Sequence, residues 1–151
     1  MHVSVPIDAY EQQIVGTVRD NRVTVIVAET GAGKSTKVPL MLLRAGLGAE
    51  GMIGVTEPRR VAAMNVSDWV AQLAECELGT TVGYQIGGER KIGHETRVAF
   101  VTEGIVLRQL HDDPYLRKYA VLIVDEAHER VCGAPATAER TAQPPPRIPP
   151  R

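Results

Sequence analysis

Residues 23–35, with the sequence VTVIVAETGAGKS, decide the fold of this chain. Residues 23–28 are five β-branched residues followed by an alanine, a run that is typical of a parallel strand buried on both faces. The run leads into a loop that holds Gly31 and Gly33, and apolar residues then recur at helical spacing over residues 34–45. We therefore predict a first core strand, a glycine loop and a helix that begins where the loop ends.

The loop has the spacing of a Walker A motif over residues 28–35, with alanine in place of the usual first glycine. Gly31 and Gly33 allow the backbone N–H groups to approach phosphate oxygens, and the helix N-terminus adds partial positive charge. Lys34 is expected to reach the β- and γ-phosphates of ATP, and the Ser35 hydroxyl is expected to ligate Mg²⁺. The alternative is an accidental glycine turn, which the preceding strand and following helix argue against.

Strand and helix patterns alternate along the rest of the chain, which predicts an α/β fold with a mostly parallel sheet. The predicted strands are residues 52–56, 97–102 and 119–124, and the predicted helices are residues 61–78 and 104–110.

Two acidic residues, Asp125 and Glu126, follow the most apolar of these strands. Ligands collect at the carboxyl ends of strands in open α/β sheets. Asp125 is suited to holding Mg²⁺, and Glu126 is suited to orienting and deprotonating the water that attacks the γ-phosphate. A solvated strand end is the alternative, but the Walker A loop upstream favours the nucleotide site.

The composition narrows the class of protein. The chain has 151 residues, 44% of them hydrophobic and 23% charged, as expected for one globular domain. A net charge of -1 shows no global basic excess, so any affinity for nucleic acid must be local. The two cysteines lack zinc-site spacing, and neither a signal peptide nor a membrane-spanning apolar run is present. We expect an intracellular protein without a membrane partner, with cytoplasm and nucleus both open.

Five motifs in order along residues 5–130 resemble those of the DEAH-box RNA helicases. They are ETGAGKST at residues 29–36, TEPRRVAA at 56–63, VGYQI at 82–86, TEG at 102–104 and DEAHER at 125–130. The resemblance implies a RecA-like lobe of the P-loop NTPase type, and ATP hydrolysis coupled to RNA. It does not exclude DNA, and it identifies no protein cofactor.

The resemblance also assigns roles to individual residues. The catalytic residues it implies are Glu126, Lys34 and His128, the last as a link between the ATP site and the strand-binding side. Residues implied to bind the nucleotide are Gly31, Ala32, Gly33, Lys34, Ser35 and Thr36, with Ser35 and Asp125 as the Mg²⁺ ligands. Residues implied to contact the RNA backbone are Arg59, Arg60, Thr102 and Gly104.

The pattern breaks after Arg130, where the family continues with a Ser-Ala-Thr motif and a second lobe. We predict an incomplete helicase ATP-binding domain at residues 1–133 and a disordered proline-rich tail at residues 134–151. Without the arginine fingers of a second lobe, ATP turnover by this chain is expected to be slow.

Three functions are compatible with these motifs. The first is an ATP-dependent RNA helicase of DEAH type represented by its first lobe. The second is a truncated ATP- and RNA-binding module without productive helicase activity. The third is another nucleotide-hydrolysing motor, against which the arginine pair of residues 59–60 and the TEG motif of residues 102–104 both argue.

Overall fold

The α/β fold predicted from the alternation of strands and helices is present in the computed structural model, which describes residues 6–127. A 3-10 helix, Pro6–Tyr10, opens this part of the chain. The helices are α1 (Glu11–Asp20), α2 (Lys34–Arg44), α3 (Arg60–Leu73) and α4 (Glu103–Asp112). The strands are β1 (Met52–Glu57), β2 (Val82–Ile86), β3 (Glu89–Lys91), β4 (Val98–Thr102) and β5 (Tyr119–Val124).

The five strands form one sheet in the order β3-β2-β4-β1-β5. Every neighbouring pair is parallel except β2 and β3, which form an antiparallel hairpin. β1 and β4 lie in the middle, and every residue of these two strands is buried except the partly buried Met52. The predicted mostly parallel sheet is therefore confirmed, with its most buried strands at the centre.

Helices cover the two faces of the sheet unequally. The larger core joins α1, α2 and α3 to side chains such as Ile53 of β1 and Phe100 of β4. The smaller core lies on the opposite face, where Ile105 and Val106 of α4 pack with Ala99 and Val101 of β4. No helix within residues 6–127 has the length and apolar character needed to cross a lipid bilayer.

The prediction of a core strand at residues 23–28 is wrong, because the structure leaves this segment outside the sheet. Val23, Val25 and Val27 are 81–90% exposed, and Ile26 alone of the segment packs against the larger core. β-branched residues favour extended backbone, but a strand also needs a neighbour with which to exchange hydrogen bonds. Within the described residues the sheet ends at β5, and this segment pairs with no strand.

The other predicted elements are present with shifted ends. The helix predicted at residues 61–78 ends at Leu73, and Glu75 then adopts a left-handed φ of 52° that leads out of the helix. α1 and the β2–β3 hairpin were not predicted. Strand β2 contains Gly83, and the adjacent glycines of residues 87–88 form the turn between the two strands. The segment therefore lacks a strong strand pattern.

Gly54 allows the sheet to pack closely at its centre. A Cβ atom at this position would lie 2.7 Å from the ring of Tyr119 and 2.9 Å from Leu122. The ring cannot withdraw freely, because the Tyr119 hydroxyl donates a hydrogen bond of 2.9 Å to Gln109 of α4. Gly54 therefore lets α4 and β5 pack against β1.

Substitution of Gly54 by alanine is expected to destabilise the chain by about 1–3 kcal/mol, because the added methyl group overpacks the Tyr119 ring. Urea unfolding of Gly54→Ala would measure the change. Gly16→Ala is the matched control, since a Cβ at Gly16 of α1 meets nothing within 4 Å. The free energy of unfolding of this control is expected to rise by about 0.5–1 kcal/mol, because alanine has a higher helix propensity than glycine. Equal stability of the two variants would contradict the packing argument.

Candidate functional site

The motifs singled out from the sequence meet at the carboxyl edge of the sheet. Two residues separate the end of β1 from α3, and α4 begins directly after β4, so both helix N-termini lie at this edge. α2 runs back toward the start of β1, which places its N-terminus and the preceding glycine loop at the same edge. The topology thus gathers helix N-termini and the last residues of three parallel strands.

The glycine loop has the backbone conformation needed to expose its N–H groups. Gly31 and Gly33 have φ values of 82° and 91°, in the left-handed region that favours glycine. Gly33 is the N-cap of α2, and its carbonyl accepts hydrogen bonds from the N–H groups of Thr36 and Lys37 at 3.3 and 2.7 Å. A loop of this shape at a helix N-terminus is suited to binding phosphate.

Lys34 folds back over the loop that it follows. Its ammonium group donates hydrogen bonds to the carbonyl oxygens of Ala28 and Glu29, at 2.7 and 2.9 Å. These contacts hold one positive charge beside the loop. The Thr36 hydroxyl donates to the Gly33 carbonyl at 3.3 Å, so in this structure it supports the loop backbone.

One flank of the loop borders a cavity of about 570 Å³. Residues 24–32 line one side of the cavity, and Tyr10, Gln13, Ile14 and Thr17 line the other. The cavity lies between the extended segment and the first helices of the described chain. The loop continues directly into α2, which packs in the larger core.

Three polar side chains from three motifs form a row at the carboxyl edge. Glu57 of β1 is in register with Thr102 of β4, and the pairing of Thr56 with Val124 places Asp125 beside Glu57 on the other side. Side chains alternate between the faces of a strand, and Val55, Phe100 and Ile123 all face the larger core. Glu57, Thr102 and Asp125 therefore lie on the same face as α2 and its glycine loop.

Asp125 has the properties expected of a cation ligand. Its side chain is 9% exposed, and its Oδ1 accepts a hydrogen bond of 2.8 Å from the N–H of Glu126. Its Oδ2 is buried and has no hydrogen-bond partner among the described residues. A buried carboxylate oxygen without a donor is stabilised by a cation, so Asp125 fits a Mg²⁺ site.

The other candidate ligand, Ser35, is half-buried in the first turn of α2. Residues 6–127 contain no group of three or more His, Cys, Asp or Glu side chains placed to hold a metal ion. One carboxylate and one hydroxyl are the kind of sparse protein ligand set that Mg²⁺ shares with phosphate oxygens and water.

Glu126 and His128 complete the predicted catalytic set. Glu126 is exposed and has a φ of 47°, which turns the chain away from the line of β5. Left-handed backbone at a residue other than glycine is uncommon and is concentrated at functional sites. His128 and the tail at residues 134–151 lie outside the described residues.

Glu57 also lies at the carboxyl edge of the sheet, although no site role was predicted for it from the sequence. It is only 6% exposed. Burial, followed by the negative charges of Asp125 and Glu126, raises the pKa of Glu57 from 4.5 to about 7. An ionisable residue at the end of an otherwise apolar strand was the available signal, but its closeness to Asp125 depends on the register between β1 and β5.

The residues predicted to contact RNA divide into two groups. Arg59 and Arg60 are exposed at the start of α3, and the turn of the β2–β3 hairpin approaches them, with Gly88 near the Arg60 guanidinium. Gly104 is exposed in the first turn of α4. Thr102 is only 9% exposed and belongs to the row with Glu57, so its side chain is the least accessible of the four.

The raised pKa of Glu57 predicts that the stability of the chain depends on pH. The folded state keeps the proton up to about pH 7, while the unfolded chain loses it near 4.5. Stability should therefore fall as pH rises between these values, by about 3 kcal/mol at most. The Glu57→Gln variant cannot ionise at this position. Its free energy of unfolding should therefore match that of the native chain near pH 4.5 and exceed it above about pH 7.

Chemical unfolding with EDTA present at both ends of this pH range would test the effect. Thr56→Val is the matched control, because Thr56 is also buried on β1 but has no titratable group. The difference in the free energy of unfolding between this control and the native chain should be the same at every pH. A Glu57→Gln difference that does not change with pH would contradict the assignment.

Comparison with known proteins agrees with this arrangement. The DEAD/DEAH box helicase family matches residues 8–132. The chain is 43% identical over 125 residues to the Homo sapiens "Probable ATP-dependent RNA helicase DHX40", covering 83% of the chain and 16% of that protein. It is 45% identical over 128 residues to the Arabidopsis thaliana "Pre-mRNA-splicing factor ATP-dependent RNA helicase DEAH10", covering 84% of the chain and 18% of that protein.

Among solved structures, the Escherichia coli DEAH/RHA helicase HrpB superposes with a TM-score of 0.78 at 39% identity. The match covers 84% of the chain and 16% of the HrpB chain. The chain thus spans less than a fifth of the length of each of these relatives. Its fold is that of a helicase RecA-like lobe, and the chain belongs to the DEAD/DEAH box helicase family.

Proposed function

We propose that this chain is the ATP-binding lobe of an ATP-dependent RNA helicase of DEAH type. The observation that supports this most strongly is the shared position of the glycine loop and Asp125. Both lie at the carboxyl edge of the sheet, on the face that α2 covers. Phosphate bound by the loop and a cation bound by Asp125 would therefore be on the same side of the sheet.

The loop is proposed to bind the triphosphate of ATP. The N–H groups around Gly31 and Gly33 and the N-terminus of α2 favour negative charge. Lys34 is already held beside the loop by two backbone carbonyl groups, and its ammonium group has a third donor available for a phosphate oxygen. Ala32 and Thr36 are proposed to complete the set of residues around the phosphates.

Ser35 and Asp125 are proposed to hold Mg²⁺. When bound, the ion neutralises charge on the phosphate oxygens. The chain's own contribution is to supply one hydroxyl oxygen and one buried carboxylate oxygen from two different elements. The unpartnered Oδ2 of Asp125 is the atom that supports this assignment.

Glu126 is proposed to orient the attacking water and accept its proton. It follows Asp125 directly, and its left-handed backbone separates its exposed side chain from the buried side chain of Asp125. A carboxylate outside the core keeps access to water, as a general base requires. His128 is proposed to link this site to bound RNA.

RNA is proposed to lie across the N-termini of α3 and α4. Arg59 and Arg60 are exposed there, and a guanidinium group can bind a phosphate through two parallel hydrogen bonds. Gly104 leaves the first turn of α4 open to a close approach, since a Cβ there would meet nothing within 4 Å. Thr102 would contribute at the end of β4.

The alternative function is an ATP- and RNA-binding module without productive helicase activity. The exposed segment at residues 23–28 favours it. Because this segment is outside the sheet, the glycine loop is not fixed to the strands that carry Asp125. Catalysis needs its groups held to within about an ångström, whereas binding tolerates more freedom.

ATPase measurements on the whole chain, with and without RNA, test the proposal. RNA should stimulate turnover. Glu126→Gln should reduce it by about 10²- to 10⁴-fold while keeping Mg·ATP binding, because it removes the general base. Lys34→Ala should weaken ATP binding itself, because it removes the ammonium group beside the loop.

Glu75→Gln is the matched control for Glu126→Gln. Glu75 is also an exposed glutamate with a left-handed backbone, but it follows the C-terminal end of α3 at the opposite edge of the sheet. Its substitution should leave turnover unchanged. Binding of ATP and RNA without stimulated turnover would support the binding module. Failure to bind Mg·ATP would overturn both functions.

Arg60→Ala should weaken RNA binding and reduce the salt dependence of the affinity. Loss of one phosphate contact lowers the slope of log affinity against log salt by about 0.7–1. Fluorescence anisotropy with a labelled uridine oligoribonucleotide at several salt concentrations measures the slope. Arg44→Ala is the matched control. Arg44 is the C-terminal residue of α2, and its side chain pairs with Glu11 at 3.0 Å. An equal change in both variants would contradict an RNA site at α3.

A further inference from the structure

We propose that Glu57 is a positioning residue that links the nucleotide site to the RNA-binding surface, through Asp125 on one side and the start of α3 on the other. The inference rests on the proposed function, since it assigns a role between the two sites described there. It concerns the affinity of one ligand in the presence of the other, and not the chemical step.

The first support is the position of Glu57 within the sheet. It is the last residue of β1, one of the two strands in the middle of the sheet, and it is 6% exposed. Its neighbours in the row are Thr102, at the N-cap of α4, and Asp125, at the end of β5. A buried side chain between two others of different strands cannot move without displacing them.

The second support is the contact with the nucleotide side. The register of β1 with β5 places Asp125 beside Glu57, and Glu126 follows directly in the chain. Asp125 also has a buried oxygen without a hydrogen-bond partner among the described residues. A ligand that binds this oxygen fixes the position of the Asp125 side chain, and Glu57 lies directly beside that side chain in the row.

The third support is the short covalent path to the RNA side. Pro58 directly follows Glu57, and its ring restricts the backbone that leads to Arg59. Arg59 is the N-cap of α3, and its carbonyl accepts a hydrogen bond of 3.0 Å from the N–H of Ala63. A displacement of Glu57 would therefore reach the arginine pair through a stiff connection.

The neighbouring residue Thr56 distinguishes a link through the Glu57 side chain from a link through the backbone of β1. Thr56 is also buried, but it is in register with Val124 and points to the face of α4. It is one residue further from the arginine pair and on the opposite face from Asp125. A link through β1 as a whole would involve both residues, whereas a link through the row involves Glu57 alone.

The test is a thermodynamic cycle on the whole chain. The affinity for a labelled uridine oligoribonucleotide is measured with and without a saturating Mg²⁺ complex of a non-hydrolysable ATP analogue. Coupled sites typically change each other's affinity by about 5- to 150-fold. We expect the ratio of the two RNA affinities to lie in this range for the native chain. The ratio should fall to within about twofold of one in Glu57→Ala. It should keep the native value in the isosteric Glu57→Gln and in Thr56→Val.

The outcomes separate the inference from the proposed function. A native chain that binds neither ligand overturns the proposed function, and the inference with it. A native chain that binds both ligands independently overturns the inference alone. Retention of the ratio in Glu57→Ala also overturns it, as does loss of the ratio in Thr56→Val. Loss in both Glu57 variants together with a lower melting temperature would show a purely structural residue, which again overturns the inference.

Discussion

The parallel pairing of β1 with β4 on one side and β5 on the other is the constraint on which the rest of this structure depends. Parallel strands bring their carboxyl ends to one edge, and each strand here ends in a motif residue or directly before one. The pairing fixes register as well as direction, so Glu57 lies beside both Thr102 and Asp125. The polar row therefore forms as a consequence of burying the apolar parts of three strands.

Burial at that edge has an electrostatic cost that the fold tolerates. Glu57 and Asp125 are both nearly inaccessible to solvent and carry the same charge when ionised, and one oxygen of Asp125 has no partner among the described residues. Such an arrangement destabilises the fold and favours the binding of positive charge. The glycine loop and the N-terminus of α2 at the same edge have the opposite preference, for anions. Together they suit a ligand that combines phosphate with a cation.

The segment at residues 23–28 shows the limit of local propensity. Five β-branched residues predict a strand, and the same residues lie extended and exposed in the structure. Extended backbone is a local preference, but membership of a sheet depends on a neighbouring strand that no local pattern specifies. β5 illustrates the same point, because the most apolar of the predicted strands lies at an edge of the described sheet.

The sequence by itself determined the glycine loop, the alternation of helices and strands, and the acidic pair after β5. These features depend on residues close together in the chain, where φ preferences, helical spacing and apolar runs act directly. Only the tertiary structure decided that residues 23–28 stay outside the sheet, and that Glu57 joins Asp125. Both depend on strand pairing between residues far apart in sequence, and a shift in register by one residue would have turned Glu57 to the other face.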